Sequence, residues 1–209
     1  MRETSPPRIA VDASGGDHGP SVVVPGAVAA ARQLEGSAIV CVGPEDEIRR
    51  ELASEGAEGL DIRVVHAPDT IGMDESPAAA VRRKTESSIA VGARLVREGE
   101  ADAFVSAGST GAVTAAATLI IGRLPGVARP GIATVLPTRR GVSLVIDMGA
   151  NVDCKPQHLM QFAVMGKIYA RSVLGMTDAN VGLLNIGEEP GKGDELTQSA
   201  HALLSAHEP

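Results

Sequence analysis

Short runs rich in Val, Ile, Leu and Ala recur at residues 9–12, 38–43, 62–66, 103–107, 132–137, 142–147 and 181–186. Most lack strict apolar–polar alternation, which predicts strands buried on both faces. Between them, segments 20–34, 45–55, 77–98, 110–122, 156–174 and 194–206 carry helix-like patterns. Strand and helix thus alternate along most of the chain, the order of an α/β domain with a mostly parallel sheet. One pair departs from it. Only Thr138-Arg139-Arg140-Gly141 separates 132–137 from 142–147, too few residues for a crossover helix. That pair predicts an antiparallel hairpin, and so a mixed sheet.

The helix at 156–174 has the clearest boundaries. Pro156 suits a first turn, where its missing N–H costs nothing, and Asp153 is a candidate cap. Leu159, Phe162, Ala163, Ile168 and Tyr169 form its expected apolar stripe, and Gly175 suits its stop. No repeat, low-complexity tract or linker divides the chain. The reading is one α/β domain over residues 8–209, preceded by a flexible end at 1–7 that includes Ser5-Pro6-Pro7.

Composition narrows the function classes. Phe104, Phe162 and Tyr169 are the only aromatic residues, too few for a surface that stacks on nucleic-acid bases. The net charge of −7 also opposes binding to a phosphate backbone, so no nucleic-acid partner is expected. Cys41 and Cys154 lie in or beside apolar stretches and read as small buried thiols rather than a disulfide framework. Met1 to Arg8 carries no apolar central segment, so no secretory signal is expected there, and no run approaches the roughly 18 apolar residues of a membrane helix. A soluble protein of the reducing cytoplasm is expected.

Candidate chemistry lies in the loops that follow the strands, where open α/β sheets bind ligands. Asp12-Ala13-Ser14-Gly15-Gly16-Asp17-His18 follows the first run, and Ser106-Ala107-Gly108-Ser109-Thr110-Gly111 follows the fourth. Asp147-Met148-Gly149-Ala150-Asn151 and Asn185-Ile186-Gly187 follow later ones. Glycine allows close backbone approach, and helix starts favour anions, so these loops suit a phosphate. The Ser106–Gly111 turn equally suits a plain helix cap, and Gly15-Gly16 a tight strand-to-helix turn. Lys192 sits where it reaches an anion at the sheet edge or remains a solvated loop lysine. Arg82-Arg83-Lys84, preceded by Asp74-Glu75-Ser76-Pro77, is the one dense basic cluster; it reads as a solvated face or as a dock for a phosphate or an acidic partner.

Several alternatives fail. No G-x-G-x-x-G follows the first strand, and the Gly187–Gly193 stretch has P-loop-like glycines at the wrong spacing, with Gly193 where Ser or Thr would bind magnesium. His18, His66 and His158 show no ligand spacing, and Asp12, Asp17 and His18 make only a weak trio, so no metal is expected. No Ser-His-Asp arrangement or G-x-S-x-G elbow is present.

Taken in order, Arg8-Ile9-Ala10-Val11-Asp12-Ala13-Ser14-Gly15-Gly16-Asp17-His18, Asp74-Glu75-Ser76-Pro77 with Arg82-Arg83-Lys84, and Ser106 to Gly111 resemble the bacterial phosphate acyltransferases of phospholipid synthesis. So do Asp147-Met148-Gly149-Ala150-Asn151-Val152-Asp153 and Gly182 to Gly187 with Lys192 to Thr197. Ser14 departs from the family's usual Met. The resemblance covers the first two-thirds of such an enzyme, so the chain is expected to be C-terminally incomplete.

The resemblance implies a three-layer α/β/α, Rossmann-like architecture akin to phosphate acetyltransferases and isopropylmalate dehydrogenases, and a homodimer. It implies transfer of a long-chain acyl group from acyl carrier protein to inorganic phosphate, without a cofactor. The resemblance further implies a downstream glycerol-phosphate acyltransferase as a candidate partner, with a location in the cytoplasm or, for the full-length family, peripheral to the inner face of the membrane. Phosphate binding is expected at Asp12, Gly15, Gly16, Asp17, His18, Ser106, Gly108, Ser109, Thr110, Gly111 and Asp147. Lys192 would neutralise charge while Asn151 or Asn185 donates hydrogen bonds, and Arg82, Arg83 and Lys84 would meet the carrier. The competing readings are a dehydrogenase-like enzyme of the same fold and an inactive copy serving as a subunit or carrier-binding module.

Overall fold

The computed structural model describes residues 6–34, 36–189 and 191–206. The outermost parts of the expected flexible end, residues 1–5, and of the chain's other terminus, 207–209, lie outside them. The chain divides into two compact units, Met1–Gly122 and Arg123–Pro209.

The first unit is built on strands β1 (Arg8–Asp12), β2 (Ala38–Gly43), β3 (Ile62–His66) and β4 (Ala103–Val105). All pair in parallel, in the order β3-β2-β1-β4. Successive side chains of β2 point to opposite faces. Ile39 and Cys41 pack with Val24, Ala27 and Val28 of α1 (Pro20–Gln33) and Ile48 of α2 (Glu45–Ser54). Val40 and Val42 pack on the other face with Val91 and Leu95 of α4 (Ser88–Arg97). The unbroken apolar runs thus reflect a sheet covered on both sides, and the unit has three α/β/α layers. Two further helices, α3 (Pro77–Arg83) and α5 (Thr110–Ala116), share a second core with α4 around Ile71, Val81, Ile89 and Ala112.

Two expectations need correction here. Residues 77–98 form two helices, because the Ser87 hydroxyl accepts the Ala90 N–H and starts α4 afresh. The fourth strand stops at Val105 rather than 107, since Ser106 turns away to donate to Asp12.

The second unit holds a hairpin, β5 (Ala133–Thr138) and β6 (Gly141–Ile146), with helices α6 (Pro156–Ser172) and α7 (Glu195–Ala206). The strands are antiparallel, and the Thr138–Gly141 pair closes a turn of Arg139 and Arg140, with Gly141 at φ 128°. Parallel and antiparallel pairs are therefore both present, but among the described residues they lie in two sheets rather than one. Leu144 and Ile146 lie beside Gly166 of α6.

Residues 181–186 are not a strand. They pair with no neighbour among the described residues, and Leu184 and Ile186 are 90% and 87% exposed. Asn185 instead bonds locally: its side chain donates to the Lys192 carbonyl and accepts the Ile186 N–H. At α6 the cap residue is Lys155, whose N–H donates to His158 Nδ1, whereas Asp153 pairs with Arg129 at 2.6 Å. Phe162 is buried as expected, but Ile168 is 60% exposed and Tyr169 is partly exposed, so the stripe is narrower than its sequence pattern.

Candidate functional site

Strand order creates the site. The chain runs outward from β1 through β2 to β3 and then returns to place β4 on the other side of β1. Such a reversal leaves a crevice beyond the carboxyl ends of the two central strands. Residues 12–16 leave β1 there and residues 106–108 leave β4. Between them and the segment after β3 lies a cleft of about 130 Å³, lined by Asp12, Ser14, Gly15, Gly16 and Gly108. Thr70, Ile71, Gly72 and Met73 form another part of the wall, with Ser88 and Ile89 at the start of α4.

Asp12 ties the two loops together. It is 1% exposed. Its Oδ1 accepts the Ser14 N–H at 3.1 Å, and its Oδ2 accepts the Ser106 hydroxyl at 2.6 Å. Ser106 Oγ in turn accepts the Gly108 N–H at 3.0 Å. The loops approach too closely for a side chain at residue 15. A Cβ on Gly15 would lie 2.8 Å from Asp12 Oδ2, 2.9 Å from Gly108 N and 3.1 Å from Ala107 N. Gly16 has φ 78°, which only glycine adopts readily. The tight turn expected at Gly15-Gly16 is present, and it brings loop backbone to the cleft.

Other expected residues are placed elsewhere. Asp17 and His18 are exposed and do not line the cleft; the His18 carbonyl accepts the Ser21 hydroxyl. Ser109 caps α5 by accepting the Ala112 N–H, the plainer of its two readings. Gly111 is needed for packing, since a Cβ there would stand 2.8 Å from Pro77 Cγ. Thr110 is exposed at the start of α5.

The basic cluster is partly neutralised within the fold. Glu75 accepts from Lys84 Nζ at 2.6 Å, from Arg83 at 2.9 Å and from the Gly72 N–H at 2.8 Å. Lys84 also donates to the Thr70 carbonyl at 2.7 Å. These bonds, led by Lys84, hold the Glu75 carboxyl below the usual carboxylate range. They also pin the Thr70–Met73 wall of the cleft. Arg82 remains exposed with no ion pair among the described residues.

In the second unit, Asp147 and Asn151 fasten a turn. Asp147 accepts the Ile132 N–H at 3.2 Å through Oδ1, and both the backbone and side-chain N–H groups of Asn151 through Oδ2. Asn151 Nδ2 also donates to the Pro130 carbonyl at 2.9 Å. Nearby, desolvation first and the Asp147 charge second raise the Cys154 thiol above its ordinary value. Lys192 is exposed and makes no ion pair among the described residues. No group of three or more metal-ligating side chains occurs among them, and no described helix is long and apolar enough to cross a membrane.

Sequence reasoning missed Thr70–Met73 and Ser88-Ile89. The available signal was position: residues 67–73 follow the third strand, contain Gly72 and lead directly into Asp74-Glu75-Ser76-Pro77.

A parallel sheet with a loop-walled crevice at its reversal point defines an open-sheet α/β protein, a class whose ligand sites lie at that crevice. The fold is shared with solved phosphotransacetylases. The EutD phosphotransacetylase from Staphylococcus aureus superposes with TM-score 0.62 at 21% identity, covering 96% of this chain and 64% of that one. A phosphotransacetylase from Streptococcus pyogenes gives TM-score 0.59 at 21% identity, covering 81% of this chain and 54% of that one. Residues 7–208 match the model of the fatty acid synthesis protein family, and the chain belongs to that family. Curated relatives named phosphate acyltransferase include those of Desulforamulus reducens, 53% identical over 94% of this chain, and Salinibacter ruber, 54% identical over 94%. The chain spans 59% of the length of each of these two relatives.

Proposed function

We propose that the cleft at the tips of β1 and β4 binds inorganic phosphate, and that the chain takes part in acyl transfer from acyl carrier protein to that phosphate. The observation that carries this reading is the meeting of two glycine-rich loops at the sheet's reversal point, locked by Asp12 and Ser106. The names of the curated relatives supply the reaction class.

A phosphate oxygen attacks the thioester carbonyl carbon. A C–O bond forms and the C–S bond breaks; the proton of hydrogen phosphate passes to the departing thiolate, leaving acyl phosphate and the carrier's free thiol. The nucleophile is the substrate anion itself, so no activated serine or cysteine is required. The protein's tasks are to hold phosphate against the carbonyl and to stabilise the developing oxyanion. The Gly16 N–H serves the first task, the Gly15 and Gly108 amides being held by the Asp12 carbonyl and Ser106 Oγ. For the second, charge neutralisation is assigned to Lys192 and hydrogen-bond donation to Asn185, since both side-chain N–H groups of Asn151 are held by the Pro130 carbonyl and Asp147. Arg82 and Arg83 are the surface cations offered to the acidic carrier.

Phosphate-dependent release of carrier thiol from acyl-acyl carrier protein tests the reading. Lys192→Ala is expected to slow turnover well over tenfold, because removing one transition-state donor costs roughly 2.7–4 kcal/mol. Unchanged acyl-phosphate formation by that variant would reject the role of Lys192. Absence of phosphate-dependent release by the parent chain would reject the activity.

A further inference from the structure

The cleft is lined by two kinds of group. Asp12, Gly15, Gly16 and Gly108 give its lining a carboxylate and loop backbone, and Ile71, Met73 and Ile89 add apolar side chains to the same lining. Ile71 and Ile89 are buried backing, 5% and 2% exposed, whereas Met73 is 61% exposed at the lip. Met73 is the exposed apolar side chain on the lining of the proposed phosphate cleft, so it offers contact to an apolar tail carried by the anion. Volume sets the direction of its tail. At about 130 Å³ the cleft falls below the roughly 300–1,000 Å³ that encloses a drug-sized ligand. It has room for a phosphate and the first carbons attached to it, so a longer chain must leave over the lip. The lip is held in place from behind, since Glu75 binds the Gly72 N–H and, with Thr70, fastens Lys84. Met itself suits a surface that meets chains of varied length, being unbranched and polarizable.

We infer that Met73 is a specificity-determining residue that receives the proximal methylenes of the acyl chain as it leaves the cleft. This rests on the proposed phosphate site and extends it. Each methylene withdrawn from water is worth about 0.8 kcal/mol, or close to fourfold in affinity, so contact with one or two predicts roughly a tenfold preference for a longer chain.

Hydrolytically stable alkyl phosphates test it. The 209-residue chain, labelled at its methionine methyls and backbone amides, is titrated by NMR with inorganic phosphate, methyl phosphate and octyl phosphate below its micellar concentration. All three are expected to move the amides of Gly15, Gly16 and Gly108. Only octyl phosphate should move the Met73 methyl, with Met148, 59% exposed in the second unit, as the control for general adsorption. In Met73→Gln the preference for octyl over methyl phosphate should fall about tenfold. Phosphate shifts at the glycines without a Met73 response, equal movement of Met148, or an unchanged preference in the variant would overturn the lip assignment alone. Failure of inorganic and methyl phosphate to move those glycines would overturn the phosphate site, and the lip assignment with it.

Discussion

Ser106→Ala tests the joint between the two loops. The substitution removes one oxygen, yet that oxygen serves two partners. It donates to Asp12 Oδ2 at 2.6 Å and accepts the Gly108 N–H at 3.0 Å. Asp12 is 1% exposed, so water does not readily replace the lost donor. A hydrogen bond to a charged group contributes roughly 1.5–3 kcal/mol, and the one from the part-buried Gly108 N–H about 0.5–1.5 kcal/mol. The two losses share an atom and do not simply add. A destabilisation of about 2–4 kcal/mol is expected for the first unit. With a urea slope of roughly 1–3 kcal/mol per molar, the unfolding midpoint should fall by about 1–2 M. The readout has to belong to that unit. Tyr169, the single tyrosine, lies in the second unit and reports on the wrong part of the chain. Amide exchange at Ile9, Ala10 and Val11 in the central strand, followed through the urea series, is the suitable probe. Ser106→Thr keeps the hydroxyl and should recover most of the loss. A change below about 0.5 kcal/mol in Ser106→Ala, or no recovery in Ser106→Thr, would refute the claim that this hydroxyl holds a buried carboxylate.

Gly92→Ala should destabilise the first unit by about 1–3 kcal/mol in the same exchange experiment, because its Cβ would collide with the Phe104 ring where α4 crosses β4. Acid should loosen the cleft wall. The Glu75 carboxyl is held below its ordinary value of 4.5, chiefly by Lys84, so its contribution is present above that value and is lost as pH falls through the lowered one. Faster exchange of the Gly72 amide over that range, compared with Glu75→Gln, checks it. Burial raises the Cys41 thiol from 9.0 to about 11, so the stability it contributes is complete below pH 9 and declines as pH rises towards 11. At pH 8 a thiol reagent should label Cys154 before Cys41, which lies under α1 and α2; equal rates in the native protein would contradict the packing.

Local pattern made most of the fold legible. Five of the seven apolar runs became strands within about one residue of their expected ends, and a sixth, at 103–107, was shortened where Ser106 turned to Asp12. The failure at 181–186 has a physical cause: β-propensity expresses a fit to neighbouring strands, and Val181, Leu184 and Ile186 have none among the described residues. The split of 77–98 was readable in principle. Ser87 precedes an apolar stretch as an N-cap should, but the Ala-rich and Val-rich segments on either side suggested one continuous helix.

The site was legible in parts and illegible as a whole. Each loop, taken singly, supports a turn or cap as well as a ligand site, and Ser109 and Gly111 turned out to serve α5 and its packing. Adjacency of β1 and β4 is what converts two ambiguous turns into one crevice. It is expressed by a hydrogen bond spanning 94 residues, which no local window contains. The basic cluster shows the same limit with the opposite outcome. Glu75 lies eight and nine residues from Arg83 and Lys84, a separation that matches no helical neighbour spacing, so their pairing was hidden. The consequence is functional. Lys84, spent on Glu75 and the Thr70 carbonyl, fixes the cleft wall and is a poor candidate for meeting a carrier, whereas Arg82 has no ion pair among the described residues. If carrier recognition uses this surface, Arg82→Glu should weaken carrier binding several-fold without altering the Gly72 amide. Lys84→Met should accelerate Gly72 exchange first, and an effect confined to carrier affinity would place Lys84 on the surface rather than in the wall.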